Sequence, residues 1–185
     1  MAPSFPNWKW KKYYQKAKTR KTRNTIKLKI QEIEKSKEGL SSNFLRKVLN
    51  DSKFFLGIYP QDFLLRLKIE SPAFFIVNLD VSSKPGSHWI ALYIDNSSIE
   101  IFDSLGLEKS TWDRKPSILL RFVEKYAKTR KLRISRKIQH DFSNFCGVFS
   151  LFFIILRPFL PFWSICDYFS ENLILNHQKL LQFFQ

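Results

Sequence analysis

From Phe145 to Leu156 the chain carries no charged residue, and the run stops abruptly at Arg157-Pro158. Twelve residues fall well short of the roughly 18 that cross a bilayer, and a helix apolar on every face belongs inside a protein. The run therefore predicts a buried helix. The apolar fraction of 44%, with 19 Phe and 5 Trp, supplies enough surface to cover it and argues against a mainly disordered chain. At 185 residues the expectation is one domain of ordinary size with a full core.

The formal charge of +15 is unevenly placed: residues 1–38 hold 12 Lys and Arg against 3 Asp and Glu, a net +9. Such a segment attracts polyanions, either nucleic acid or anionic membrane. The plainer alternative is a solvated tail that keeps the protein soluble. Trp8, Trp10, Tyr13 and Tyr14 lie among these charges without a clean period, a mixture suited to stacking on bases and binding phosphates. A basic, disordered tail is expected over 1–40 and a folded domain over 41–185. The candidate nucleic-acid ligands are Lys9, Lys11, Lys12, Lys16, Lys18, Arg20, Lys21 and Arg23. A charged helix is expected from Thr25 to Lys37. Two cysteines, Cys146 and Cys166, make no disulfide framework and suit a reducing compartment, nucleus or cytoplasm. No apolar signal segment opens the sequence. A monomer without membrane attachment is expected.

Ser41-Ser42 caps a helix from Asn43 to Leu49, and Tyr59-Pro60-Gln61-Asp62 offers a second helix start. Ala73 to Leu79 reads as a buried strand between Pro72 and the polar loop Ser82 to Gly86. His88 to Ile94 and Ile99 to Asp103 read as two strands joined by a turn at Asp95 to Ser98, hence a hairpin. His88 opens one strand and Asp103 closes the other, so antiparallel pairing sets an imidazole beside a carboxylate. Ser117 to Lys128 reads as an amphipathic helix and Leu132 to Gln139 as a further strand. After the polar loop Asp141 to Asn144, Cys146 falls on the first turn of the apolar helix. The region from Asp167 to Gln185 reads as a short helix, a break near Asn176 and a last amphipathic helix.

A nucleophilic thiol is served by a helix N-terminus, whose unpaired N–H groups and dipole favour the thiolate. Cys146 has that setting, and Gly147 leaves room beside it. Cys166 has no such context and reads as an ordinary packed thiol. Acyl transfer also needs an imidazole, a group that orients it, and donors for the oxyanion. His88 faces a carboxylate, whereas His140 lies in a loop and His177 in a polar break. Asp103 is the simplest orienting group, with Asp95 and Glu100 as weaker candidates. Gln139, seven residues before Cys146, can return its amide to join the Cys146 N–H in an oxyanion hole.

Three segments carry a family resemblance: Gly86-Ser87-His88-Trp89, Ile99 to Gly106, and Gln139 to Gly147. They resemble the G-x-H-W, F-[DE]-x-[LF]-G and Q-x6-C-G signatures of adenain-like cysteine proteases. This group comprises the adenovirus maturation proteases and related enzymes of Polinton/Maverick elements and adintovirus-like viruses; SUMO-specific proteases belong to the wider clan. The resemblance implies an α+β, papain-like fold in circularly permuted His-Asp-Cys order, with a central mixed β-sheet flanked by helices. It implies His88 as general base, Asp103 as its orienting carboxylate, Gln139 and the Cys146 N–H as oxyanion donors, and Cys146 as nucleophile. Gly86, Trp89 and Gly147 would line the substrate cleft. No metal or other cofactor is required by this chemistry, though adenoviral members use DNA as an activator. The implied substrates are capsid and core precursor proteins, and the implied location is the virion and host nucleus. A ubiquitin-like-modifier protease is the alternative, and a non-catalytic nucleic-acid-binding protein a second one. Adenoviral enzymes also bind an activating peptide through a disulfide, for which this chain has no Cys between His88 and Cys146.

Overall fold

The computed structural model describes residues 7–36, 38–106 and 117–185, with side chains from Trp10 onward. Five strands form one mixed sheet in the order β1-β2-β3-β4-β5: β1 (Phe55–Pro60), β2 (Ala73–Asn78), β3 (Trp89–Ile94), β4 (Ser98–Phe102) and β5 (Lys131–Ile134). The outer pairs are parallel and the two inner pairs antiparallel. The β3–β4 hairpin sets Ala91 opposite Phe102 and Ile94 opposite Ile99. Its turn forms where expected, with Asp95 Oδ1 accepting the Ser97 and Ser98 N–H groups at 2.8 and 2.7 Å.

Successive strand residues point to opposite faces, and both faces are buried. Phe75, Val77, Ile90, Leu92, Ile99 and Ile101 pack against α4 (Ile118–Ala127), capped by Ser117, and against a 3₁₀ turn (Gln61–Arg66). Phe74, Ile76, Ala91 and Phe102 pack on the other side against α5 (Cys146–Leu156). All eleven residues of α5 are buried. The Phe102 and Phe153 rings stack at 4.8 Å. The molecule is thus α+β, a mixed sheet between helical layers.

The N-terminal region departs from the expected disordered tail. Residues 7–36 form α1 (Asn7–Ala17) and α2 (Arg20–Ser36) and join the main core. Trp10 and Tyr14, four apart, are both 4% exposed; Ile26, Ile30 and Ile33 form the matching stripe on α2. Trp10 packs on Tyr168 at 4.9 Å, and Tyr14 on Phe183 at 5.0 Å. A boundary at residue 40 therefore cuts through one core. Of the aromatics read as base-stacking groups, Trp10 and Tyr14 cover α5 and α7 (Leu173–Phe184) instead and Tyr13 stacks on Phe159, while the Trp8 side chain lies outside the described residues.

Other boundaries also move. The α3 helix (Ser42–Leu49) forms with Ser41 as N-cap, accepting the Phe44 N–H at 3.2 Å. Strand β1 occupies a stretch that gave no strand signal, and its pairing with β2 shifts between Phe55 and Gly57. β5 ends at Ile134, well before Gln139. A short α6 (Phe162–Cys166) precedes Asp167, and α7 runs unbroken through Asn176. Asn176 is fully buried: its Nδ2 donates to the carbonyls of Ile138 and Ser170, and its Oδ1 accepts the Ser170 N–H. Those tertiary bonds outweigh the poor helix propensity of Asn.

Candidate active site

The hairpin and the N-terminus of α5 converge. Phe145 caps α5, so Cys146 is its first residue, where backbone N–H groups have no partner within the helix. His88 immediately precedes β3 and Asp103 follows β4. His88 Nε2 donates to Asp103 Oδ1 at 2.6 Å, with both residues buried. Asp103 Oδ1 also accepts the Leu105 N–H at 2.9 Å, and Ser135 Oγ pins the Asp103 backbone with two bonds of 2.8 Å. The other ring nitrogen of His88, Nδ1, is buried without a hydrogen-bond partner. It is the nitrogen left free to exchange a proton with the Cys146 thiol.

Burial pulls the His88 pKa down, but the hydrogen bond and charge of Asp103, with the nearby Cys146 sulfur, outweigh it and raise the value from 6.5 to about 9. The imidazolium is thus favoured at neutral pH. Because the folded value lies above the unfolded one, the stability this interaction adds is complete below about pH 6.5 and is lost as the pH rises through about 9. Urea midpoints of wild type and His88→Ala, compared from about pH 5 to about pH 10, should differ most at the acid end. A difference that grew with pH would contradict the raised value.

Gln139 is 1% exposed and held at both ends of its amide. Nε2 donates to the Ser143 carbonyl at 2.6 Å, and Oε1 accepts the Ser104 hydroxyl at 2.6 Å. A carbonyl only accepts, so the Ser143 contact fixes which end is nitrogen. An amide NH₂ has a second hydrogen, which leaves one for a developing oxyanion. The Ser104 carbonyl also accepts the N–H groups of Ile138 and Gln139, both at 2.8 Å. Ser104 is thus a positioning residue that sequence reading missed, adjacent to Asp103 but 35 residues from its partner. Ser104→Ala should lower kcat about tenfold with KM little changed, less than the roughly 10²–10³ of losing an oxyanion donor itself. Unaltered steady-state kinetics of peptide hydrolysis would remove that role.

The remaining candidates separate. Glu100 does not orient the imidazole; its buried carboxylate is bonded by Arg133 and Arg157. Asp95 belongs to the hairpin turn. His140 is exposed and His177 packs on Phe145 at 4.2 Å. Gly86 is exposed at φ +96°, where a Cβ would collide with the Asn78 amide, so it serves the loop before His88. The room expected beside Cys146 is already filled: Gly147 is buried, and a Cβ there would meet Leu40 Cβ at 2.9 Å and Trp89 Cδ1 at 3.2 Å. Trp89 is half-buried, with Nε1 donating to the Leu40 carbonyl at 2.9 Å. Both cysteines are free thiols, and burial raises the Cys166 pKa to about 12. Among the described residues, no group of three or more His, Cys, Asp or Glu is placed to hold a metal.

Of the basic candidates, Lys18 is withdrawn. It is 8% exposed, with Nζ donating to the Val48 carbonyl at 2.8 Å and to Ser52 Oγ at 2.7 Å. Arg23 is partly engaged, bonding the Gln15 and Lys18 carbonyls. Lys11, Lys12, Lys16, Arg20 and Lys21 remain at least partly exposed, and the Lys9 side chain lies outside the described residues.

A free thiol at a helix N-terminus, an imidazole bonded to a carboxylate and a fixed amide define a papain-type cysteine peptidase site, here in the chain order His, Asp, Cys. Residues 55–177 match the adenovirus endoprotease family, and the chain belongs to it. A cysteine protease of African swine fever virus is 33% identical over 95 residues, covering 44% of this chain. The match spans about a third of that relative, 32% of its length. Crystal structures of the African swine fever virus pS273R protease, one of them selenomethionyl, share the fold at a TM-score of 0.52 and 18% identity, over 79% of this chain and 66% of theirs.

Proposed function

We propose that this chain is a cysteine endopeptidase that processes precursor proteins of a DNA virus or virus-like element through a thioester on Cys146. The observation that carries the reading is the 2.6 Å His88–Asp103 bond, with the second imidazole nitrogen left for the thiol at the start of α5. Similarity to a viral cysteine protease supports the viral setting.

With its proton carried on His88 Nδ1, the Cys146 sulfur attacks the scissile carbonyl. The oxyanion draws on the Cys146 N–H and the second Gln139 N–H. Collapse breaks the C–N bond as His88 returns its proton to the leaving amine. Water then hydrolyses the thioester, with His88 again as base. Precursor proteins of the source virus or element should be cut by wild type and not by Cys146→Ala. Equal cutting by both would end the reading.

DNA as an activator is the second part of the proposal. Lys11, Arg20, Arg23 and Lys27 line a concavity of about 280 Å³ between α1, α2 and the end of α7. That cluster, together with the other exposed lysines of α1 and α2, suits a phosphate backbone. DNA affinity should fall steeply with salt and with Lys11→Glu/Arg20→Glu. The proposed places of action are the virion and host nucleus.

A further inference from the structure

Leu40 is buried between the end of α2 and the Ser41 cap of α3, outside the 55–177 stretch that matches the family. We propose that Leu40 is a positioning residue for the catalytic pair, wedged against the chain neighbours of both His88 and Cys146 so that it sets the spacing of imidazole and thiol. The proposal rests on the peptidase reading and deepens it, since it names what holds that site in register.

Three observations carry it. The first is a bond: Trp89 Nε1 donates to the Leu40 carbonyl at 2.9 Å, across 49 residues of sequence. Trp89 follows His88 directly and opens β3, so a held indole fixes the strand end from which the imidazole projects. The second is a contact. A Cβ added to Gly147 would meet Leu40 Cβ at 2.9 Å, Trp89 Cδ1 at 3.2 Å and Leu40 Cδ1 at 3.5 Å. Gly147 follows Cys146 directly, and its missing side chain lets Leu40 and the indole close on the backbone that carries the thiol. The third is anchorage on each side. Ser150 Oγ of α5 donates to the Trp89 carbonyl at 3.3 Å. Leu40 is 3% exposed in the main core, and α3, which follows it, is tied to α1 by the Lys18 bond to the Val48 carbonyl.

Leu40 thus touches the residue after the imidazole and the residue after the thiol, and its own place is fixed by the helices around it. Proton exchange between His88 Nδ1 and the thiol needs hydrogen-bond reach. A displacement of about 1 Å is enough to cost about 10²-fold in such a reaction.

The test is alkylation of Cys146 by iodoacetamide in the native full-length chain, read as the ratio of its rate at about pH 7 to its rate at about pH 10. At the higher pH a thiol ionises unaided, so the ratio cancels changes in access and leaves the contribution of the imidazole. An unaided cysteine, with a pKa of about 8.5, is only about 3% thiolate at about pH 7, so complete loss of the pair lowers the ratio by at most about thirtyfold. Leu40→Ala should lower it about tenfold. Trp89→Phe, which keeps a ring but removes the indole N–H, should lower it about threefold or more. Leu40→Met refills the space and should stay within about twofold of wild type. Leu45→Ala truncates another fully buried leucine of the same core and should leave the ratio unaltered, which separates positioning from loss of stability. Should Leu40→Ala unfold the chain, Trp89→Phe decides. An unchanged ratio in Leu40→Ala or Trp89→Phe, an equal fall in Leu45→Ala, or no rescue by Leu40→Met would overturn the proposal. His88→Ala is measured alongside: a fall there without one in Leu40→Ala rejects the positioning role alone, whereas no fall in either rejects the peptidase reading.

Discussion

Asp103→Asn should lower kcat by about 10⁴-fold, the loss expected when the carboxylate behind a catalytic imidazole becomes an amide. The change removes charge without removing structure. Ser135 holds the Asp103 backbone from both sides, and an Asn oxygen still accepts the Leu105 N–H. Asp103 supplies both a hydrogen bond and a charge that raise the His88 pKa, so the alkaline limb of the rate profile should move below about 9. KM should change little, because Asp103 bonds His88 and the loop and takes no part in substrate binding. A loss under about tenfold, or an unmoved limb, would remove Asp103 from the catalytic unit.

Glu100→Ala should destabilise the fold by about 3 kcal/mol, within the roughly 3–5 expected when one partner of a buried ion pair is deleted. Glu100 is fully buried; Oε1 accepts from Arg133 at 2.7 Å and from Arg157 at 3.1 Å, and Oε2 accepts Arg157 Nε at 2.6 Å. The Arg157 guanidinium also lies 4.2 Å from the Tyr93 ring centroid. Burial lowers the Arg157 pKa, but the bond and charge from Glu100 outweigh it and hold the group firmly protonated. One carboxylate thus ties β4 to β5 and to the end of α5. Truncation would strand two guanidinium groups that are 27% and 15% exposed. Urea unfolding measures the loss, and a value under about 1 kcal/mol would contradict the account. The pH limb of His88 should stay in place, which separates this structural carboxylate from Asp103.

The catalytic hairpin was legible because its information is local. Alternating strand residues, an Asp-Asn-Ser-Ser turn and antiparallel pairing are enough to bring His88 to Asp103. The α5 helix was legible because a wholly apolar run has no other stable place. What escaped depended on distant partners. Strand β1 pairs with β2 through an irregular register and carries a weak local pattern. Asn176 looked like a helix break because its four partners lie at Ile138 and Ser170. In α1 and α2 the net charge drew attention from the Trp10/Tyr14 and Ile26/Ile30/Ile33 stripes, which were readable by their helical spacing. The Ser104–Gln139 bond had no sequence signal.

The most direct test is the rate at which iodoacetamide alkylates each cysteine of the native full-length chain, mapped by mass spectrometry in wild type and His88→Ala. Cys146 should react and Cys166 should not, since Cys166 is 2% exposed with its pKa raised to about 12 by burial. Removing His88 should slow the Cys146 reaction by about 10²-fold or more at neutral pH. Equal labelling of the two cysteines, or a Cys146 rate indifferent to His88, would contradict a thiol activated by this imidazole.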